Sequence, residues 1–252
     1  MPLDRELLSR PLKISIIVPA YNEEQLIGAT LRQITAASEA FARRGWETEL
    51  IVCDNNSSDR TAELARAAGA QVVFEPINQI ARARNRGAAV ASGDWFVFVD
   101  ADSRPTIELF SDVAGQIEAG RCIAGGSTVR LESDSRTARV VTRIWNAISR
   151  TWTLLAGSFI FCEAEAFRTV GGFNQELFAG EELDLTQRLK ERARDQRKSL
   201  VVLHRHPLVT SARKLRLYTW REHLRLLRMA SFSRRKTLAN REACFMWYDG
   251  RR

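Results

Sequence analysis

Two carboxylates, Asp100 and Asp102, stand one residue apart at the end of the apolar run Trp95-Phe96-Val97-Phe98-Val99. A short apolar run bounded by turn residues reads as a buried strand, so both acids emerge at its carboxyl end. In open α/β sheets that edge is where ligands bind. Hard carboxylate oxygens there suit Mg²⁺ or Mn²⁺ with a phosphate bound beyond it. Two further acidic clusters have the same setting. Asp54 closes an apolar run, and Glu181, Glu182 and Asp184 open a helical segment. Sheet topology can bring all three clusters to one edge. Plainer roles exist for each: a solvated turn at Asp100, a helix cap at Asp54, and acids matched to a helix dipole at 181–184.

Other phosphate chemistries lack their motifs. No G-x-x-x-x-G-K-[ST] follows the first strand-like run, and no G-x-G-x-x-G is present there. A G-x-S-x-G elbow is also missing. What remains is metal-assisted chemistry at a phosphate. The formal net charge of +8 and pI of about 9.8 fit anionic partners. The basic and aromatic pattern of an RNA module is absent, so nucleic acid is not expected. Cys53, Cys122, Cys162 and Cys244 lack C-x-x-C spacing, which argues against a zinc site or a disulfide framework and points to reduced cytosol. The N-terminal stretch shows no signal core, and no apolar run is long enough to span a bilayer. The location expected is cytoplasmic.

The elements that must position these acids alternate. Strands are expected at residues 14–18, 49–53, 71–75 and 95–99. Helices are expected at about 26–44, 60–68 and 80–91. That order predicts an open, mostly parallel sheet with helices on both faces. The second half is less regular. It has helices at 106–119, 137–153, 163–170 and up to about 193, and strands around 122–131, 158–162 and 199–203. Val140, Ile144 and Ile148 share one face of the helix at 137–153.

Six short segments then make a resemblance: residues 15–24 (SIIVPAYNEE), 54–61 (DNNSSDRT), 83–87 (ARNRG), 100–102 (DAD), 170–173 (VGGF) and 181–185 (EELDL). In this order they resemble a family 2 glycosyltransferase with the GT-A fold, over roughly residues 13–213. The resemblance implies a Rossmann-like α/β domain at 1–213 that moves a sugar from a nucleotide-sugar, by analogy a UDP-sugar, to an acceptor hydroxyl with inversion. Pro19, Tyr21 and Glu23 would line the nucleotide pocket, and Asp54 would accept a hydrogen bond from the base. Arg84 would lie near the nucleotide and Asp100 by the ribose. Asp102 would bind Mn²⁺ or Mg²⁺, with His204 as a further ligand. Arg213 would meet the diphosphate or the acceptor. The general base would be Glu182, where the family has an aspartate. Glu181 and Asp184 remain alternatives. A GT-A-like nucleotidyltransferase and a degenerate nucleotide-sugar-binding protein stay open as rival readings. Residues 214–252 form the remaining unit. Leu217, Trp220, Leu224 and Leu227 recur at helical spacing among arginines. This reads as a basic amphipathic helix, which either packs its apolar stripe on the domain or lies on an anionic membrane surface and brings the site to a lipid-linked acceptor.

Overall fold

The computed structural model describes residues 10–133, 135–211, 238, 240, 242 and 244. Its centre is β1 (Lys13–Ala20), a β-branched run buried from Ile14 onward. On one side it pairs in parallel with β2 (Glu47–Asp54), from Lys13 opposite Glu47 to Ala20 opposite Asp54. On the other it pairs in parallel with β4 (Trp95–Val99), and β3 (Gln71–Phe74) extends the sheet beyond β2. The connecting helices are α1 (Ile27–Ala42), α2 (Thr61–Ala67) and α3 (Ile80–Val90). β1, β4 and the second half of β2 are buried on both faces and so read as unbroken apolar runs in the sequence, whereas β3 is an edge strand with Phe74 exposed.

The second half adds β5 (Ser103–Arg104), α4 (Ile107–Ala119), β6 (Cys122–Glu132), α5 (Arg136–Trp152), β7 (Phe159–Glu163), α6 (Ala164–Thr169), α7 (Glu181–Asp195) and β8 (Ser199–Ser211). The sheet order is β3-β2-β1-β4-β7-β6-β8-β5. β7 is antiparallel to both β4 and β6, so the parallel first half continues into a mixed second half. The sheet is flanked by helices on both faces, as expected. Alternate side chains feed two cores. Ile16, Val18, Val97 and Val99 belong with Leu31, Ile34, Phe41 and Phe110 of α1 and α4. Ile17, Ile51, Phe96 and Phe98 belong with Ala81, Phe167, Leu185 and Leu189 of α3, α6 and α7.

Two features of this frame matter for the site. The carboxyl ends of β1, β2 and β4 lie along one edge, joined there by the start of β7, where Phe159 faces Val99. And α3 lies directly on β1, because a Cβ on Gly87 would stand 2.5 Å from Ile17 Cγ2. That close approach sets the depth of the whole helix.

β8 differs from expectation. It does not stop at Leu203 but runs to Ser211. Pairing with β6 shifts from Ser127 opposite Leu203 to Val129 opposite Leu208, so residues 204–207 form a bulge. His204, His206 and Pro207 looked like a loop, but a bulge absorbs a proline that cannot donate to the ladder. The strand then resumes and pairs with β5, a two-residue strand too short to leave a periodic signal. No described helix is long and apolar enough to cross a membrane. The helix expected beyond residue 213 lies outside the described residues.

Candidate active site

The loops after β1 and β2 are tied to each other. Asn22, in the left-handed region at φ 50°, donates its N–H to Ser57 Oγ (3.0 Å) and accepts Ser58 N–H at its Oδ1 (2.8 Å). Glu23 N–H donates to Thr61 Oγ1 (2.7 Å), and the Glu23 carbonyl receives the first amides of α1. Asp54 is buried, and its Oδ1 accepts Ser57 N–H (3.1 Å), closing the turn before α2. Asn55 extends the lashing. Its amide donates to the carbonyls of Glu75 and Ile77, and its Oδ1 accepts Gln79 N–H (2.9 Å). The Gln79 amide in turn reaches the carbonyls of Gln175 and Leu177, in the approach to α7.

Arg84 is the junction. It leaves α3 on the same face as Ala81 and Ala88 and is 1% exposed. Its Nη1 donates to Glu181 Oε1 (2.8 Å), and its Nη2 donates to Asp100 Oδ1 (2.9 Å) and to the Gly157 carbonyl (2.7 Å). The guanidinium also lies 5.1 Å from the centre of the Phe173 ring, within cation–π range. Burial works against its charge, but Asp100 and Glu181 outweigh it and raise its pKa above the usual value. One buried cation thus fastens together the end of β4, the turn before β7 and the first residue of α7.

The three acids that open α7 have separate fates. Glu181 is buried and committed to Arg84. Asp184 turns outward and pairs with Arg188 one turn on (Nε 2.8 Å, Nη2 2.6 Å). Glu182 is half-buried against Gly157, where a Cβ would lie 3.4 Å from its Cδ. Burial first, then the neighbouring Glu181 carboxylate, push its carboxyl up to about 8, against the opposing pull of Arg84. A carboxyl raised this far is the stronger base once ionised. Of the three acids, Glu182 alone is both near the Asp100 edge and free of a tight ion pair.

Asp102 sits in the turn between β4 and β5, partly exposed, and its carbonyl accepts Ser211 N–H (3.2 Å). That bond puts the end of β8 beside it. His204 lies seven residues earlier on β8, in the bulge, and opens on a groove against α5. The register therefore does not bring His204 to Asp102. His206 pairs with Asp112 on α4 (2.9 Å). Among the described residues no three side chains of ligand type gather as a ready-made metal cage. The hard oxygens of Asp102 and the outer oxygen of Asp100 fit an open site, in which Mg²⁺ or Mn²⁺ takes its other ligands from phosphate and water.

The sequence model of "Glycosyl transferase family 2" matches residues 15–169. The chain belongs to this family. An undecaprenyl-phosphate 4-deoxy-4-formamido-L-arabinose transferase from Salmonella paratyphi A is 31% identical over 165 residues, 62% of this chain and 49% of that protein. A dolichol-phosphate mannosyltransferase from Pyrococcus furiosus is 32% identical over 121 residues, 46% of this chain and 33% of that protein. The chain thus spans half or less of the length of these curated relatives. Among solved structures, a Pyrobaculum calidifontis mannosyltransferase in complex with GDP-Man and Mn²⁺ superposes with a TM-score of 0.66 at 20% identity, over 94% of this chain and 65% of that one. Glucosyl-3-phosphoglycerate synthase from Mycobacterium tuberculosis, with Mn²⁺, UDP and phosphoglyceric acid, gives 0.61 at 22% identity, over 89% and 78%. At these identities the structures establish a shared GT-A fold.

Against this glycosyltransferase frame, Asp54, Asp100, Asp102 and Glu182 line one edge. Pro19 is buried within β1, and Tyr21 is half-buried just past its end. Glu23 is buried between the two loops. Arg213 lies outside the described residues. Gly157, Asn55 and Gln79 were not singled out in the sequence. Asn55 stands within the segment 54–61 and was legible there, whereas nothing in sequence marks Gly157, whose role comes from its carbonyl and its lack of a side chain.

Proposed function

We propose that this glycosyltransferase-family chain moves a sugar from a nucleotide-sugar, a UDP-sugar by analogy, to an acceptor hydroxyl with inversion. The observation that carries the reading is Arg84. Through it, the strand-end carboxylates that suit a metal-bound diphosphate and the helix that presents Glu182 form one fixed unit. The base would rest near Asp54, with Pro19, Tyr21 and Glu23 shaping the pocket. Asp102 would hold the divalent ion, which when bound neutralises charge on the departing nucleoside diphosphate. Glu182 would take the proton of the acceptor hydroxyl as it attacks the anomeric carbon in line. Arg84 would keep Asp100 and Glu181 in place throughout, and so orient the first turn of α7. Arg213 follows the strand end that reaches Asp102 and would approach the diphosphate. The curated relatives are named for lipid phosphates, which supports a lipid-linked acceptor; the site would then work at the inner face of a membrane.

The test is a thermal-shift panel of nucleoside diphosphates and nucleotide-sugars with and without Mn²⁺, followed by donor consumption. A ligand that binds only the folded state raises its melting temperature by mass action. UDP and a UDP-sugar should do so only with the metal present, and donor turnover should release nucleoside diphosphate. No shift with any nucleotide would overturn the reading. A metal-dependent shift without any turnover would leave a nucleotide-sugar-binding protein.

A further inference from the structure

α5 is built the wrong way round for a helix that serves a core. Only Ala138, Thr142 and Ser149 of its 17 residues are buried. It is held to the domain by polar contacts. Asn146 exchanges two hydrogen bonds with the backbone of Val129 (2.9 and 3.0 Å), and Ser149 Oγ donates to the Leu154 carbonyl (2.6 Å). Trp145 and Ile148 are half-buried, but three of its large apolar side chains face outward: Val140 is 53% exposed, Ile144 56% and Trp152 62%. Val141 joins the same stripe at helical spacing.

The charges on α5 are of one sign. Arg136, Arg139, Arg143 and Arg150 are all exposed, and the helix contains no acid. Arg139, Arg143 and Arg150 run along one flank and, with Arg130 of β6 and His204 of the β8 bulge, line a groove of about 460 Å³. Among the described residues none of these arginines has an ion-pair partner. An exposed apolar stripe flanked by unpaired cations is what an interfacial helix presents to anionic lipid. Other occupants fit less well. A second copy docking by the same face would set arginine against arginine. The segment beyond residue 213 also carries a strong positive charge, including Arg216, Arg221, Arg225 and Arg228.

We infer that α5 is a membrane-docking helix: its Val140–Ile144–Trp152 stripe enters an anionic bilayer surface while its arginine flank meets the headgroups. The position has a consequence for the site. The chain leaves Trp152 and reaches Gly157 five residues later. On the way, Leu155 N–H donates to Thr186 Oγ1 (3.4 Å), and Thr186 Oγ1 donates to the Glu182 carbonyl (2.6 Å). A bilayer against α5 therefore lies next to the residue proposed as base, where a lipid-linked acceptor would arrive. That last step rests on the reading given under Proposed function, whereas docking itself does not.

The test is sedimentation of the full chain with vesicles of phosphatidylcholine, alone or with about one-third phosphatidylglycerol. The vesicles hold neither donor nor acceptor, so the result is independent of donor binding and turnover. Wild type, with four exposed arginines on α5, should partition at least about a hundredfold better onto the anionic vesicles and lose this preference in high salt. Ile144→Ser/Trp152→Ser should lower partitioning about tenfold or more. Arg139→Gln/Arg143→Gln should lower the anionic preference about thirtyfold at roughly one headgroup contact each. Both variants should melt within a few degrees of wild type. Wild-type partitioning by Ile144→Ser/Trp152→Ser would overturn the inference. So would a lipid-free melting loss in that variant with partitioning unchanged, which would mean that the chain itself covers the stripe. Dispersal of a lipid-free dimer by the same variant, with partitioning unchanged, would assign the face to a second copy instead.

Discussion

Replacing Arg84 by methionine isolates the junction of the site. Methionine keeps the length of the side chain and can still contact the Phe173 ring, but it removes three hydrogen bonds of 2.7–2.9 Å and the cation that pairs with both Asp100 and Glu181. The cost is uneven. The Asp100 side chain is 22% exposed and can recover water, whereas the Glu181 side chain is 5% exposed and cannot. Removing one member of a buried pair costs about 3–5 kcal/mol. For a chain of this size that corresponds to a melting loss of roughly 6–20 °C. The signature lies in the double variant. Arg84→Met/Glu181→Met leaves no orphaned charge on α7 and should recover about half of the loss, since replacing a whole buried pair by apolar groups is often near neutral. Urea unfolding of wild type, both single variants and the double variant closes the cycle. A melting temperature for Arg84→Met within about 2 °C of wild type would refute the argument. So would strictly additive losses in the cycle, since contacting residues must couple.

Glu182→Gln should change the pH dependence of stability. The folded carboxyl titrates near 8 and the unfolded one near 4.5, so its contribution is fully present below 4.5 and is lost as pH rises through 8. Relative to the glutamine variant, wild type should lose up to about 2 kcal/mol between pH 5 and 8.5, allowing for solvent at a half-buried group; parallel melting curves against pH would contradict this. In turnover the same variant should fall by about 10² or more with donor binding kept, and wild-type rates would move the base elsewhere. Asp102→Ala should abolish the Mn²⁺-dependent part of the nucleotide shift, and His204→Ala should leave it intact; the converse pattern would return the histidine to the metal. Gly87→Ala should destabilise by about 1–3 kcal/mol, because its Cβ would press on Ile17 at 2.5 Å, despite the higher helix propensity of alanine; a gain in melting temperature would show that α3 can lift off β1 freely.

How far the sequence carried the fold follows from which forces leave a local trace. β4 is buried throughout, β1 from Ile14 onward and β2 in its second half, so burial is written as continuous apolar runs rich in Ile, Val and Phe, two of which lead into Asp54 and Asp100. The three acidic clusters were legible because turn chemistry and helix starts are local. The resemblance names Arg84 as lying near the nucleotide, whereas the local pattern shows it only as one of three alternate arginines, 82, 84 and 86. Helical phase with Ala81 and Ala88 tells which of them turns inward, but not that carboxylates wait there from two distant segments. β8 was cut short because a bulge and a loop share the same residues, and only the partner strand distinguishes them. The stripe on α5 was legible as a stripe. Periodicity gives the direction of an apolar face relative to its own helix, and nothing about whether the domain or the solvent lies beyond it.

The departure at the position proposed for the base also finds a physical setting. The family pattern puts an aspartate where this chain has Glu182, which is longer by a methylene. The residue it faces is Gly157, and a Cβ there would stand 3.4 Å from both Glu182 Cδ and Arg84 Nη2. An alanine methyl there would sit in close contact with both, and any side chain larger than alanine would have to displace the carboxylate or the guanidinium. With glycine, the longer acid lies back against bare backbone, while the same backbone carbonyl receives Arg84. The extra reach is taken up sideways, and the Cα of Glu182 stays fixed through Glu181 and Thr186. General-base geometry is sensitive to displacements of about 1 Å, so the glycine and the glutamate work as a pair. Gly157→Ala should then reduce turnover through misplacement of Glu182 while leaving melting temperature within the range of an ordinary surface change. The combined change Gly157→Ala/Glu182→Asp should recover part of that turnover, since the shorter acid gives back the space the methyl takes. If the double variant were no better than Gly157→Ala alone, the pairing would be wrong.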